Sequence, residues 1–228
     1  MQQRKNLILI AELCAVALIV VVVRFGASNH VIGAAFAQDK ALMAHPEIRI
    51  AWVGWIIFTL YWEIAKKKAT AATSSESAAS RGVHVLMTNL GLLLVAAPLV
   101  GLGRYMPILP SVMWIGLAVE AIGLFIAIWA RIHLGRNWSG EITIKVDHQL
   151  IRSGPYKLLR HPIYTGILAM YLGTAVVTGE WLAVIGVVLV VFAYWRKIRL
   201  EEANMVVAFG ADYDAYRRES WALVPGLY

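Results

Sequence analysis

Charge is scarce in this sequence. Asp, Glu, Lys and Arg make up 15% of its 228 residues and 60% are hydrophobic. That balance lies outside the range of soluble globular chains, where charged residues run to about a quarter. Cysteine is nearly absent: the single Cys14 excludes an intrachain disulfide and gives no support to thiol catalysis. Acidic residues are scarcer than basic ones, 14 against 21. The resulting net charge of +7 implies no nucleic-acid partner, because basic residues at the cytoplasmic ends of membrane helices sit near anionic lipid headgroups. No internal repeat divides the chain, and no metal site is expected from it.

What the chain has in place of charge is apolar runs of bilayer-crossing length. They fall at about 6–24, 48–65, 84–103 and 110–130, followed by a tighter pair at about 163–178 and 181–195. Only Thr178-Gly179-Glu180-Trp181 interrupts that pair, which suits a helical hairpin. No small-residue cleavage site follows the first run cleanly, and more spans come after it, so it reads as a span rather than a signal peptide. With the N-terminus inside, 17 of the 21 basic residues fall on the inner side, the asymmetry that sets orientation in membrane proteins. The expectation is an all-α, multi-pass integral membrane protein with about six transmembrane helices. They include a tight C-terminal helical hairpin, and both termini are cytoplasmic. Trp52, Trp55, Trp62, Trp114, Trp129, Trp181 and Trp195 lie mostly near span ends, as interfacial aromatics do.

Residues 1–83 form an N-terminal region of two spans, an outer loop and the Ser/Ala-rich cytoplasmic linker Lys66 to Gly82; residues 84–228 form the second region. The alternation from Glu141 to Val146, the turn-like Asp147-His148-Gln149 and the resumption at Leu150 predict a short hairpin. Residues 196–220 read as a cytoplasmic amphipathic tail, two helical pieces lying against the membrane with Gly210 capping the first.

Chemistry-bearing residues gather at the cytoplasmic helix ends. In Arg160-His161-Pro162-x-Tyr164-x-Gly166, Pro162 suits the first helical position. The helix it opens points N–H groups at the aqueous face, a favourable place for a carboxylate. Arg160, His161 and Tyr164 can share one face, and Gly166 allows close approach of a neighbouring helix or of a flat ligand. Read locally, the cluster equally suits an interfacial cap with a tyrosine anchor. In Arg196-x-x-Arg199-Leu200-Glu201-Glu202 the adjacent carboxylates point about 100° apart, so one can face a pocket while the other braces an arginine. Alternatively both are solvated, with Arg199–Glu202 and Lys197–Glu201 as helical pairs contributing only tenths of a kcal/mol, roughly. Phe209-Gly210-x-x-Tyr213-x-x-Tyr216 covers a purine or seals a helix on lipid, and Leu134-Gly135-Arg136-Asn137-Trp138-Ser139 holds headgroups or shapes a lipid entrance. Of the intramembrane acids Glu12, Glu63 and Glu120, the last is deepest. An acid there is a functional-site hypothesis, with an interhelical hydrogen bond from a neutral Glu or a water-lined cavity as the more ordinary reading.

Taken in order, Leu150-Ile151-Arg152-Ser153-Gly154-Pro155-Tyr156, Arg160-His161-Pro162-x-Tyr164-x-Gly166, Glu201-Glu202 and Phe209-Gly210-x-x-Tyr213-x-x-Tyr216 resemble the isoprenylcysteine carboxyl methyltransferase family. Phospholipid methyltransferases are its cousins. The resemblance runs from about Trp114 to Pro225. It implies a membrane methyltransferase whose S-adenosyl-L-methionine enters from the cytoplasm and whose acceptor, a lipophilic small molecule or prenylated substrate, enters from the bilayer. Carried over residue by residue, it makes Tyr156, Arg160, His161, Pro162, Tyr164, Gly166, Glu201 and Tyr213 cofactor-binding. It sets Glu202 at the reaction centre, with the roles of Glu201 and Glu202 interchangeable, and gives orientation of the acceptor to Arg199 or else Arg196.

The implied chemistry is coherent. A sulfonium cation favours carboxylates and the faces of Tyr156, Tyr164 and Tyr213, and in-line methyl transfer requires alignment in a water-poor site. A carboxylate acceptor, the preferred one, is already ionised and needs only an arginine to hold it. A lipid amine must lose a proton, which would make Glu202 or His161 a base. Sterol reductases share a similar Arg-His-Pro-x-Tyr-x-Gly turn and use NADPH, and a membrane sensor that kept the scaffold is the non-enzyme alternative.

Overall fold

The computed structural model describes residues 45–66, 77–96, 106–107, 109–138 and 149–227. The expected first span, most of the outer loop, the middle of the Ser/Ala linker and the Glu141–Val146 segment lie outside the described residues. Within them are six α-helices, in order α1 (Pro46–Lys66), α2 (Ala78–Ala96), α3 (Pro110–Leu134), α4 (Pro162–Thr178), α5 (Trp181–Phe209) and α6 (Ala211–Glu219), with 3-10 turns at Gly135–Asn137 and Gly154–Lys157.

The boundaries follow from local chemistry. Proline opens α1, α3 and α4, where its missing N–H costs nothing. α2 starts inside the segment expected to be linker, because Ser77 caps it: the Ser80 N–H donates to Ser77 Oγ at 3.2 Å, and alanines follow. α4 ends on Gly179 in the left-handed region, whose N–H returns to the Ala175 carbonyl at 2.8 Å. The expectation of a separate surface helix after residue 195 is corrected: α5 continues unbroken to Phe209. Arg196 to Phe209 contains neither Pro nor Gly, so nothing stops the helix until Gly210. At 29 residues α5 is about 44 Å long against about 30 Å of hydrocarbon, and its last turns carry Arg196 to Glu202 past the apolar stretch.

Helices α1, α2, α3 and α5 are long and apolar enough to cross a membrane, while α4, with 17 residues, is shorter. Ile56, Leu60, Ile115, Ile122, Phe125, Val188 and Phe192 stay exposed, an outer surface suited to lipid tails. The protein is an all-α, multi-pass integral membrane protein. α4 is buried along most of its length and packs most extensively on α3, while α5 packs most extensively on α2. Both contacts are built on glycine. A Cβ on Gly123 would lie 2.5 Å from the Gly166 carbonyl oxygen, and one on Gly173 would lie 2.5 Å from that of Gly116; Gly91 and Gly186 face each other in the same way between α2 and α5. Lipid gives helices no hydrophobic reason to associate, so close backbone approach must supply the packing.

Polar ties cross this bundle. Glu120 is 3% exposed, and its Oε2 accepts an interhelical hydrogen bond from Thr174 Oγ1 at 3.0 Å, where the sequence reading has the glutamate donate. Thr174 Oγ1 also accepts from Trp55 Nε1 at 2.9 Å, so Trp55 is a core residue joining α1 to α4 rather than an interfacial one. At the other end of α3, buried Arg131 donates to the Ala65 carbonyl at 2.8 Å and the Gly135 carbonyl at 2.9 Å. Its guanidinium lies 4.3 Å from the ring centre of buried Trp138.

Candidate functional site

The polar turn before α4 is held by the chain's own tail. Gly154 has φ +57°, and a Cβ there would meet His133 Nε2 at 2.5 Å, so both conformation and space require glycine. From Leu158 the backbone pairs with the segment after α6. The Trp221 N–H donates to the Leu158 carbonyl (3.0 Å), the Arg160 N–H to Trp221 (2.7 Å) and the His161 N–H to Ala222 (3.1 Å). Thr165 Oγ1 donates to the Leu223 carbonyl at 2.7 Å. The sequence suggested open N–H groups at this helix mouth. Instead Arg160 and His161 give theirs to the tail, and Tyr164 and Thr165 give theirs to the His161 carbonyl.

Tyr213 and Tyr216 of α6 fold inward onto this turn. Tyr216 donates its hydroxyl to the Tyr156 carbonyl at 2.6 Å, and Tyr213 is buried 6.0 Å away, edge-on. Burial pushes the Tyr216 hydroxyl up to about 12 and raises those of Tyr156 and Tyr213 above the usual tyrosine value. All three are therefore neutral at physiological pH.

The two acids separate by role, and His161 stands between them. Glu202 is 6% exposed and takes the Arg160 Nε–H at 2.7 Å; His161 Nε2 is 3.4 Å and Arg217 Nε 3.9 Å away. Arg160 donates onward to the carbonyls of Arg217 and Ser220. Glu202 thus ties α5, the turn before α4 and the α6 tail into one knot. Glu201 accepts the Tyr164 hydroxyl at 2.5 Å with His161 Nδ1 at 3.6 Å, and its side chain is 20% exposed. Its partners leave its negative charge far less matched than that of Glu202.

Around Glu201 runs an aromatic wall. The His161 and Tyr164 rings are parallel, 5.5 Å apart. Tyr164 meets Tyr194 at 4.8 Å, Tyr194 meets His84 edge-on at 5.1 Å, and Lys197 Nζ lies 5.7 Å from the Tyr164 ring centre. Tyr194 and His84 belong to no motif singled out in the sequence, and Lys197 entered only as a helical partner of Glu201. The signal was present for two of them: 194, 197 and 201 fall on one face of a helix.

The other candidates are placed elsewhere. Gly166 touches α3 rather than the acid pair, so of its two readings the structure shows the helix contact. Arg196 donates to the Ser80 carbonyl at 3.3 Å and to its hydroxyl on α2. Arg199 is exposed and makes no ion pair among the described residues; the helical Arg199–Glu202 pair does not form because Glu202 faces Arg160. Pro162 is buried as the first residue of α4.

These residues fit a sulfonium cofactor. A partly open carboxylate, Glu201, stands beside the faces of Tyr164 and Tyr194, which together match a compact organic cation. The geometry can hold a cation and align a second group against it, and it offers no His, Cys or acid grouping suited to a metal among the described residues.

Comparison with known proteins agrees. The family model for phospholipid methyltransferases matches residues 111–212. A probable protein-S-isoprenylcysteine O-methyltransferase of Oryza sativa subsp. indica is 32% identical over 117 residues, 50% of this chain and 61% of that protein. The protein-S-isoprenylcysteine O-methyltransferase of Schizosaccharomyces pombe is 30% identical over 107 residues, 46% of this chain and 45% of that protein. The chain thus spans about half to three fifths of the length of these curated relatives. The solved structure of a eukaryotic intramembrane Ras methyltransferase, an isoprenylcysteine carboxyl methyltransferase, shares the fold, with TM-score 0.53 and 19% identity, covering 96% of this chain and 86% of that one. Family model and relatives point the same way: over its C-terminal half this chain is similar to phospholipid methyltransferases and to isoprenylcysteine O-methyltransferases, and its fold is that of the solved intramembrane methyltransferase.

Proposed function

We propose that the chain transfers a methyl group from S-adenosyl-L-methionine to the carboxylate of a lipophilic, membrane-embedded acceptor of the prenylcysteine type. The observation that carries this is the wall formed by Glu201, Tyr164, His161 and Tyr194 where α4 meets the polar end of α5. When bound, the cofactor supplies an electrophilic methyl on a positively charged sulfur. Glu201 and the tyrosine faces hold that charge. Glu202 acts as a positioning residue, fixing Arg160 and so the turn carrying Tyr156 and His161, with Tyr213 closing the turn from outside. Transfer of that methyl to a carboxylate oxygen would form a C–O bond in place of the C–S bond and would yield a neutral ester and a neutral thioether. No proton moves, so no base is required. Arg196, half-buried beside α2, is better placed than exposed Arg199 to orient the acceptor.

The same reading keeps six crossings, with a further span at 6–24, and puts both termini, the α6 tail and the site on the cytoplasmic side. Residues 84–228 form the catalytic region, which α1 braces. The test is calorimetric titration of detergent-purified protein with S-adenosylhomocysteine, with NADPH in parallel, followed by methyl transfer from labelled cofactor to an N-acyl-S-prenylcysteine. Saturable binding of S-adenosylhomocysteine alone, with ester formed, is expected. Binding of NADPH instead would move the chain to the reductases, and methylation confined to an amine lipid would replace the acceptor.

A further inference from the structure

His161 faces a carboxylate with each of its ring nitrogens. Nδ1 lies 3.6 Å from Glu201 Oε2 and Nε2 lies 3.4 Å from Glu202 Oε1, with the side chain 9% exposed. The ring has little freedom to turn away. Its backbone N–H is held by the Ala222 carbonyl at 3.1 Å, and its face lies parallel to the Tyr164 ring, whose hydroxyl is fixed on Glu201. A neutral imidazole carries a proton on one nitrogen and a lone pair on the other. Either tautomer therefore turns a lone pair toward a carboxylate oxygen, and only the ring protonated on both nitrogens suits both acids. The surrounding charges set which acid needs it more. Arg160 donates to Glu202 at 2.7 Å and Arg217 lies 3.9 Å from the same carboxylate, so the charge of the ring serves chiefly Glu201. Lys197, 5.7 Å from the Tyr164 ring centre, and Tyr156, Tyr194 and Tyr213, which feel the same acids, are the other titratable groups near the pair among the described residues.

A sulfonium held by Glu201 and an imidazolium held by Glu201 are rivals for one carboxylate. We propose that His161 answers the charge on the cofactor's sulfur: beside neutral S-adenosylhomocysteine it carries both ring protons, and beside S-adenosylmethionine it carries one. His161 gives its second proton to solvent as the sulfonium is bound. It takes one back once the methyl has gone to the acceptor and the sulfur is neutral. The protons balance over a cycle, and the transfer step itself moves none. The charge returned to His161 replaces the sulfonium as the partner of Glu201, so the spent cofactor keeps no ionic hold on that acid. The pH dependence has a definite sign. Binding of S-adenosylmethionine releases a proton, so its affinity rises with pH through the range where histidine titrates, while that of S-adenosylhomocysteine does not. This rests on the methyl-transfer reading and deepens it, giving His161 the task of telling the methyl donor from its product.

The test is calorimetric titration of the detergent-purified protein with each of the two ligands, in two buffers of different ionisation enthalpy near neutral pH, which counts the protons exchanged. S-adenosylmethionine should release about half a proton or more beyond S-adenosylhomocysteine. The affinity ratio of the two should then rise about threefold or more per pH unit. His161→Asn keeps a polar group between the acids but cannot titrate, and should abolish the difference; it also controls for the amino group that both ligands carry. If that variant binds neither ligand, NMR of ring-labelled histidine in the wild-type protein reads the same event. The resonance that the variant lacks should have imidazolium shifts with S-adenosylhomocysteine and neutral-ring shifts with S-adenosylmethionine. Equal proton counts for the two ligands overturn the proposal and leave the cofactor site standing. So does a difference that survives in His161→Asn, or a ring in the same protonation state with both ligands. If neither ligand binds the wild-type protein, the methyl-transfer reading itself falls, and the proposal with it.

Discussion

Helix α4 has two kinds of neighbour, and they are built on opposite principles. Toward α3 it shows glycine to glycine, with backbones so close that a single added methyl meets a carbonyl oxygen at 2.5 Å. Toward the polar end of α5 it shows His161 and Tyr164, meeting Tyr194, Lys197 and the acid pair through rings and charges, and packs there less extensively than on α3. The first seam does one thing, which is to hold helices together where lipid offers no hydrophobic gain. The second keeps its backbones apart with large side chains, which is what a site for a flat cationic ligand needs. A substitution in one seam should therefore act on folding, and a substitution in the other on binding.

The largest effect is expected in the glycine seam. Gly173→Leu forces a side chain against the Gly116 carbonyl and the Glu120 backbone, obstacles that cannot rotate away. Its cost should exceed the ~1–3 kcal/mol of ordinary overpacking and appear as loss of monodisperse protein in detergent. Next is Arg160→Ala, which strands the buried Glu202 carboxylate and frees the tail carbonyls of Arg217 and Ser220. Removing one partner of such a pair costs roughly 3–5 kcal/mol. Thermal melting should show that loss together with lost S-adenosylhomocysteine binding, and Glu202→Gln, which keeps one acceptor oxygen for Arg160, should fall between this variant and wild type.

The two seams were not equally legible in the sequence. Helices α1 to α5 show in the sequence as apolar length, and the prolines and Gly179 mark helix ends by backbone chemistry alone. Gly166 was ambiguous because a glycine at a helix face permits either a helix or a ligand, and only the position of Gly123 decides between them. The run from Arg196 to Glu202 suggests a new helix because its charges announce the end of the apolar core, although nothing in those residues breaks a helix. The tail's pairing with Leu158, Arg160 and His161 was not legible at all: it is made by backbone groups, which carry no residue-type signal. His84 carries little signal by itself: one histidine in an apolar run looks like an isolated polar residue until Ser80 is seen bonded to α5 and Thr88 to α4.

Within the site, Glu201→Gln should separate charge from shape. Among the described residues Glu201 is held by Tyr164 and the more distant His161, so melting should move by no more than about 2 °C, less than ~1 kcal/mol for a chain of this size. The affinity ratio of S-adenosylmethionine to S-adenosylhomocysteine, which differ in the sulfonium charge, should fall about tenfold, a change of about 1.4 kcal/mol. An unchanged ratio would place the sulfur away from Glu201 and return the role to Glu202.

The smallest effect, and the sharpest on where the acceptor sits, is expected of Arg199. It lies one residue past Ile198, whose side chain is buried, and so points away from the face that carries Tyr194, Lys197 and Glu201. Arg199→Ala should leave melting and cofactor affinity unchanged and alter kcat/KM for the acceptor by less than about twofold, as surface changes away from a site do. Arg196→Ala, which removes the guanidinium beside Ser80 and His84, should raise KM several-fold, roughly the loss of one charge-assisted contact, with kcat less affected. If the order is reversed, the acceptor approaches α5 from its outer, exposed side. The wall between α4 and α5 would then hold the cofactor alone, and the acceptor would meet it from the cytoplasmic surface rather than through the seam.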